Sequence, residues 1–329
     1  MRPIFSPAWW PLLAVASPVL APFLVWKYVR FRAESRSAAA RNEGRTRSVA
    51  PLEDLPELEF IDVTPLVEHE HADGFMGDPG VSYWIRTDRG SVLLDVGFGA
   101  SRPSLAHNTR RLGFALSNVD ALVLSHPHPD HMGGFAAVRR CEMGVPREIA
   151  DDAPACHATV PCTLGSRPAT VSQGPRVVAA GLATTGPLSR PLFIEGSIEE
   201  QALVARLRGK GTVVITGCGH PGLGVLVEMA RRISPGRLHA IVGGLHYPIT
   251  ASRWNAAGVE LQRLFGTGRP PWSPISDTDL DVAIAVLNAL AVDRLLISAH
   301  DSCDHTLDRF SSELSAKCEV LAAGRTLRI

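Results

Sequence analysis

Ser125-His126-Pro127-His128-Pro129-Asp130-His131-Met132-Gly133-Gly134 follows directly on the apolar run Ala121-Leu122-Val123-Leu124. A short uninterrupted apolar run reads as a buried strand, so His126, His128, Asp130 and His131 all leave one strand end. A residue before proline is pushed towards extended backbone, and alternate side chains of an extended chain share a side. His126 and His128 each precede a proline, so their imidazoles are expected to converge on one ion. Gly133-Gly134 permit a tight turn, which lets Asp130 and His131 address a second ion beside the first. The spacing therefore suggests a dinuclear centre. A polar loop that is merely rich in histidine is the alternative, and three histidines with an aspartate at these offsets weigh against it.

The pattern His-x-His-x-Asp-His after a strand resembles the signature of the metallo-β-lactamase superfamily, and residues 126–131 match it completely. The resemblance implies an α/β fold, a four-layer αββα metallo-β-lactamase sandwich whose strand-end loops meet over the metals. It also implies a buried aspartate under the metal loop, and Leu93-Leu94-Asp95-Val96-Gly97 lies at the matching distance upstream. A carboxylate there can take the outer imidazole N–H of a ligand and fix its tautomer, so Asp95 is expected to support the ligands. An ordinary turn aspartate is the competing reading.

Further along, Gly211–Thr216 reads as a strand running into Gly217-Cys218-Gly219-His220-Pro221-Gly222, with a helix over Leu223–Arg232 behind it. A thiol and an imidazole two residues apart at a strand end repeat the logic of the first loop. Cys218 stands where the superfamily usually has a bridging aspartate; it is either a thiolate ligand or a buried inert thiol. Leu238–Val242 reads as another strand, ending in Gly243-Gly244-Leu245-His246. His246 could bind metal or sit over the substrate as a general acid, the alternative being a hydrogen-bonded histidine that closes the strand. An amphipathic helix over Asp279–Ala291 and a strand over Arg294–Ala299 lead to His300-Asp301, the place for the last ligand of the second metal.

These later segments resemble the branch named for 7,8-dihydropterin-6-yl-methyl-4-(β-D-ribofuranosyl)aminobenzene 5′-phosphate synthase. The branch tends to end in Ser-His-Cys-Thr-Gly, where this chain has Ala299-His300-Asp301-Ser302-Cys303. The histidine is kept and its surroundings are not. The separate histidine that many members of the superfamily carry ahead of the bridging residue is not evident here, so His220 is given that role: His126, His128 and His220 are expected on one metal and Asp130, His131 and His300 on the other, with Cys218 either between them or an inert thiol; Asp130 and His246 are the candidate catalytic groups. Two divalent ions are implied, zinc first from imidazole and thiolate, with manganese and iron as alternatives. The expected chemistry is attack of a metal-bound hydroxide on a small-molecule ester, phosphoester or lactone. A pterin-type transferase and a metal or redox sensor without turnover are the rivals.

With 329 residues, 45% hydrophobic content and no net formal charge, the chain is globular and carries no basic bias of the kind a nucleic-acid binder shows. Six scattered cysteines do not make a disulfide framework and read as free thiols of a reducing compartment. From Ile4 to Trp26 there is no charged residue, a length that suits one transmembrane helix. Lys27, Arg30, Arg32, Arg36, Arg41, Arg45 and Arg47 follow, which by the positive-inside rule puts the catalytic domain in the cytoplasm. A cleaved signal peptide is the alternative. The expected layout is a membrane anchor over 1–32, a basic flexible linker over 33–55 and a catalytic domain over 56–329, with 139–205 as a lid or substrate-region insertion. Glu68-His69-Glu70-His71 reads as a mobile loop at the mouth of the site, and Cys156-His157 lacks the partners for a second metal knot. Oligomeric state is not legible.

Overall fold

The computed structural model describes residues 3–150 and 154–329. The helices are α1 (Trp10–Ser48), α2 (Pro103–Leu112), α3 (Pro129–Met132), α4 (Phe135–Arg140), α5 (Leu223–Ile233), α6 (Leu261–Phe265), α7 (Asp277–Ala289) and α8 (Asp304–Glu313). The chain first lays down one sheet from β1 (Ile61–Val67), β2 (Ser82–Thr87), β3 (Gly90–Leu94), β4 (Ala121–Val123), β5 (Ala155–Ala158) and β6 (Thr170–Val171). A second sheet begins with β7 (Arg176–Ala179) and β8 (Leu182–Thr184), after which β9 (Leu188–Leu192) and β10 (Gly196–Glu200) form a separate hairpin. β11 (Leu203–Leu207), β12 (Gly211–Thr216), β13 (Leu238–Gly243), β14 (Arg294–Ile297) and β15 (Lys317–Val320) complete the second sheet, and β16 (Leu327–Arg328) returns to the first. The strand orders are β16-β1-β2-β3-β4-β5-β6 and β7-β8-β11-β12-β13-β14-β15.

Side-chain alternation sorts each strand between two cores. Val92, Leu94, Ala121 and Val123 of the first sheet meet Val213, Ile215, Ala240, Val242 and Leu296 of the second in one buried cluster between the sheets. The intervening Leu93 and Leu122 face outward and pack with Leu105 of α2. Val214, Ile241, Leu295 and Ile297 face the other way, against Leu226, Leu280, Ile284 and Phe310 of the helices. Helix, sheet, sheet and helix thus form the four layers. A one-residue slip of any central strand would exchange its two faces, and each buried aliphatic side chain is worth roughly 1.5–3 kcal/mol, so the register is strongly held.

β3–β4 and β12–β13–β14 are parallel pairs, as their continuous apolar runs require. Their carboxyl ends therefore lie on one edge of the sandwich, and every loop of the candidate site leaves from that edge. Gly217 lets the two halves touch there: a Cβ would come within 2.4 Å of Ser125 Oγ and 3.1 Å of Asp95 Oδ2.

Two segments differ from expectation. Residues 139–205, read as a lid or insertion, supply β5 through β10 and the start of β11; the β9–β10 hairpin reaches the site through Glu195 and Glu200. The sequence looked irregular because its strands are short edge or hairpin strands without long apolar runs. Residues 33–48, read as flexible linker, are helical and docked: Ala38, Asn42 and Thr46, four apart on one helix face, are buried. Asn42 donates to Ser189 O (2.9 Å) and accepts from Ser189 N (2.8 Å), filling the open backbone edge of β9, and Arg45 pairs with Glu199 at 2.7 Å.

The helical stretch Pro7–Ser48 is long and apolar enough to cross a membrane, with a mean hydropathy of 1.7 in an apolar window that the domain leaves unburied. Phe5 pairs with Val259 and Trp9 Nε1 donates to Ala257 O, while Lys27 Nζ donates to Ile194 O. Both ends of the apolar segment are thereby tied to the domain.

Candidate metal centre

β4 ends at Val123, and Ser125 is caught at once by Asp95: its N–H donates to Oδ1 and its hydroxyl to Oδ2, both at 2.6 Å. Asp95 sits at the end of β3 with φ 61°, a strained backbone for a non-glycine residue, and is fully buried. Gly133 and Gly134 turn the chain after α3 with φ 105° and 99°; a Cβ at Gly133 would meet the Gly144 backbone at 2.5 Å.

Five imidazoles come together here, and each is held from behind. His131 Nδ1 donates to Asp95 Oδ2 at 2.7 Å. His126 Nδ1 donates to Ser125 Oγ at 2.9 Å, that hydroxyl being committed to Asp95. His220 Nδ1 donates to Gly266 O at 3.1 Å, and His128 Nε2 to Glu195 at 2.9 Å. His300 Nδ1 donates to Ser298 Oγ at 2.5 Å, which in turn donates to Glu68 Oε2 at 2.5 Å. With one nitrogen of each ring protonated outward, the other lone pair of each faces the centre.

The inward atoms fall into two adjoining groups. His126 Nε2, His128 Nδ1 and His220 Nε2 form one, with His126–His128 at 3.0 Å and His128–His220 at 3.3 Å. Asp130, His131, Cys218 and His300 form the other; Cys218 Sγ lies 3.0 Å from His131 Nε2 and 3.2 Å from His300 Nε2. Lone pairs, a carboxylate and a sulfur packed this closely repel one another unless cations lie among them. The donor set therefore suits divalent metal ions, and nitrogen with sulfur suits zinc.

Protonation follows the same geometry. Burial, reinforced by the neighbouring imidazoles, holds His126, His220 and His300 well below the usual histidine range, so they are neutral, the form that binds metal. Burial opposes a proton on His131, but Asp130 and Asp95 outweigh it and push that group up to about 9. Burial, then the surrounding carboxylates, raises the Cys218 thiol well above its ordinary value. A cation against the sulfur reverses that order by stabilising the thiolate.

Of the expected residues, Asp95, His126, His128, Asp130, His131, Cys218, His220 and His300 all converge on this edge. His246 lies beside them: its ring is 4.9 Å from that of His220, and it joins Cys218 and His220 in a third possible ligand group. Its φ is 60°, and its N–H donates to Asp301 Oδ2 at 2.9 Å. Neither ring nitrogen has a well-aligned hydrogen-bond partner among the described residues. Burial pushes this imidazole down to about 4, against the nearby Gln262 backbone that pulls it up.

Three carboxylates of the site have no signature in the sequence. Glu68, expected in a mobile loop, is fully buried at the end of β1, where it also accepts from Tyr83 Oη at 2.9 Å and Ala299 N at 3.2 Å. Burial pushes it up to about 7 despite the donors that pull it down. Glu200 accepts from the backbone N–H groups of Cys218, Gly219 and His220, and from Thr216 Oγ1, so it shapes the second metal loop. Glu195 reaches His128 from the β9–β10 hairpin. His157 stands apart, against Arg176 Nη2 at 2.7 Å.

A cavity of about 290 Å³ opens on the centre. His128, Asp130, Cys218 and His246 form its floor, and Phe135, Trp254, Leu261 and Phe265 its walls. Phe135 and Trp254 stack with ring planes 3° apart. Glu195 adds a carboxylate, and no lysine or arginine lines the cavity among the described residues.

A four-layer sandwich with this histidine-bearing edge defines the fold class, and residues 76–233 match the family model of the Metallo-beta-lactamase superfamily. Among solved structures it is similar to Tm1679, a metal-dependent hydrolase of the beta-lactamase superfamily, with a TM-score of 0.57 and 19% identity over 82% of this chain and 99% of that one. It is also similar to the metallo-beta-lactamase fold protein YhfI from Bacillus subtilis, with a TM-score of 0.50 and 13% identity over 82% of this chain and 100% of that one. A curated relative, the 7,8-dihydropterin-6-methyl-4-(beta-D-ribofuranosyl)-aminobenzene-5'-phosphate synthase of Methanocaldococcus jannaschii, is 22% identical over 219 residues, covering 52% of this chain and 72% of its own length. The family match ends before His246 and His300, so the parts given to those two residues rest on geometry.

Proposed function

We propose that the chain is a membrane-held, dinuclear metal-dependent hydrolase of neutral, apolar esters or lactones. The observation that carries this reading is the set of five imidazoles, each fixed from behind so that its free lone pair faces a shared centre. His126, His128 and His220 would hold one ion, and Asp130, His131 and His300 the other, with the Cys218 sulfur available to the second group. Bound there, two divalent cations supply the Lewis acidity that polarises a carbonyl and activates water near neutral pH. Asp130, partly exposed at the cavity floor, orients water and can take its proton. His246, held neutral by burial at the cavity floor, holds the substrate oxygen by its ring N–H rather than serving as a charged acid.

The walls favour a neutral substrate. Phe135, Trp254, Leu261 and Phe265 exclude water and bind an apolar group, and Glu195 repels an anion. A phosphoester would meet no basic side chain on these walls. The similarity to the pterin synthase supports a second reading, transfer of a pterin group from its diphosphate to an aromatic amine; pyrophosphate release that depends on the amine would select it.

Metal analysis of the full chain in detergent, with ester, lactone and phosphoester panels on the same samples, tests the main reading. About two ions per chain and metal-dependent turnover of neutral substrates are expected, as a paired site requires. Cys218→Ser should lose one of them while keeping the fold; retention of both would remove the sulfur from the ligand set. A metal-free, inactive wild type would sink the hydrolase.

The uncovered apolar stretch of α1 holds the protein on a membrane, and the basic residues after Trp26 suit the anionic cytoplasmic leaflet. Deleting residues 1–26 should move the protein from the membrane to the soluble fraction with its metal retained. A protein that stays soluble with the helix intact would overturn the anchor.

A further inference from the structure

A second cavity, of about 430 Å³, lies between α1 and the domain, separate from the metal floor. The carboxyl half of α1 closes one side of it, β9 a second, and the loop 268–273 a third. Three arginines line it, Arg32 from α1, Arg190 from β9 and Arg269 from the loop, and no aspartate or glutamate does among the described residues. Arg269 is answered by Asp279. Arg190, half-buried, makes no hydrogen bond or ion pair with any described residue. Its guanidinium packs against Gly268, where a Cβ would come within 2.6 Å of Nε and 3.0 Å of Nη2. Gly268, at φ 63°, leaves the room that this side chain occupies.

A half-buried guanidinium without a hydrogen-bonded partner is costly, and a second one facing the same space adds repulsion. Burial, then Arg269, lowers the pKa of Arg190, against the weaker opposing pull of Tyr247 and Asp279. Proteins tolerate such a pair where an anion completes it, and the planar fork of arginine matches phosphate oxygens. Ser273 adds a hydroxyl to the same walls, whereas that of Ser35 donates to Phe31 O at 2.7 Å. The cavity also sits where the apolar run of α1 gives way to Lys27, Arg30 and Arg32, beside Tyr28 and Trp272, whose rings pack at 5.7 Å. Tryptophan, tyrosine and basic residues together mark the headgroup level of a bilayer.

We propose that the cavity between α1 and β9, lined by Arg32, Arg190 and Arg269, binds a phosphate group, carried by an anionic lipid or by a soluble phosphate ester. The site is independent of the hydrolase reading; only its lipid source depends on the membrane reading. Occupancy joins α1 to β9 and to the 268–273 loop through one anion, and so stiffens the attachment of the helix to the domain.

The test uses the full chain in nanodiscs of phosphatidylcholine alone, or of phosphatidylcholine with phosphatidylglycerol, and in detergent with inorganic phosphate or glycerol phosphate. Native mass spectrometry counts retained phosphatidylglycerol, and thermal unfolding in detergent reads the soluble anions. Retention of the anionic lipid by wild type, reduced about tenfold in Arg190→Gln, supports the site with a lipid source, since a charge-assisted hydrogen-bond pair is worth about that factor. A rise in Tm with the soluble anions, lost in Arg190→Gln, supports the site with a soluble source. Arg190→Lys should keep part of either effect, and unchanged metal content in both variants shows that they fold. Failure of wild type to hold either kind of anion, or equal binding by a folded Arg190→Gln, overturns the proposal.

Discussion

His128→Ala is expected to strip metal from the protein and to lower hydrolysis by about 10³-fold or more, the scale set by losing a Lewis acid worth several kcal/mol. His128 presents Nδ1 to His126 and His220 at 3.0 and 3.3 Å, while Glu195 holds its Nε2. Removing it leaves two imidazoles for one ion and opens the cavity floor to water, so the first group cannot keep a cation at low concentration. The fold should survive, because the side chain lies at a strand-end loop and not in either sheet core. His157→Ala is the matched control: it lies on β5 of the same sheet, bound to Arg176, and should change neither metal content nor turnover. Plasma emission spectrometry and initial rates on the purified variants check both. Metal loss in His157→Ala, or full metal in His128→Ala, would mean that the ligand set is wrong.

Glu200→Ala should be the most destabilising single change near the site, although Glu200 is not a ligand. Its carboxylate is fully buried and satisfies three successive backbone N–H groups, those of Cys218, Gly219 and His220, besides Thr216 Oγ1. Orphaned buried donors cost about 1–3 kcal/mol each, so the loss is on the order of 4 kcal/mol, or a fall in Tm of about 10 °C. The loop that presents Cys218 and His220 would relax with it, and metal should bind more weakly. Calorimetry of wild type and variant reads the first effect and metal titration the second. A variant as stable as wild type would mean that water replaces the carboxylate, and that this loop is held by its glycines instead.

Much of the centre was legible because its ligands are local in sequence or attached to strong strand signals. His126, His128, Asp130 and His131 sit in six consecutive positions after a buried strand, and Cys218, His220, His246 and His300 each follow an apolar strand by a few residues. A parallel sheet sends such strand ends to one edge, so periodicity alone carried these residues to a common place. The sandwich was legible only through the resemblance that the histidine motif carries; the continuous apolar runs of β4, β12, β13 and β14 by themselves mark buried strands.

Tertiary structure decided what has no local pattern. Glu68, Glu195 and Glu200 act through long-range contacts with residues 230, 67 and 16–20 positions away, and a carboxylate in a sequence does not reveal which distant N–H or imidazole it will face. The helical state of residues 33–48 was equally hidden, since a basic, alanine-rich stretch becomes a docked helix only when Asn42 finds the open edge of β9. The sequence by itself determined the ligand types, their spacing and the strands that carry them, because those are properties of adjacent residues. Packing alone decided the tautomers, the apolar walls of the substrate cavity and the unpaired charge of Arg190, because each depends on which remote surface removes water from a side chain.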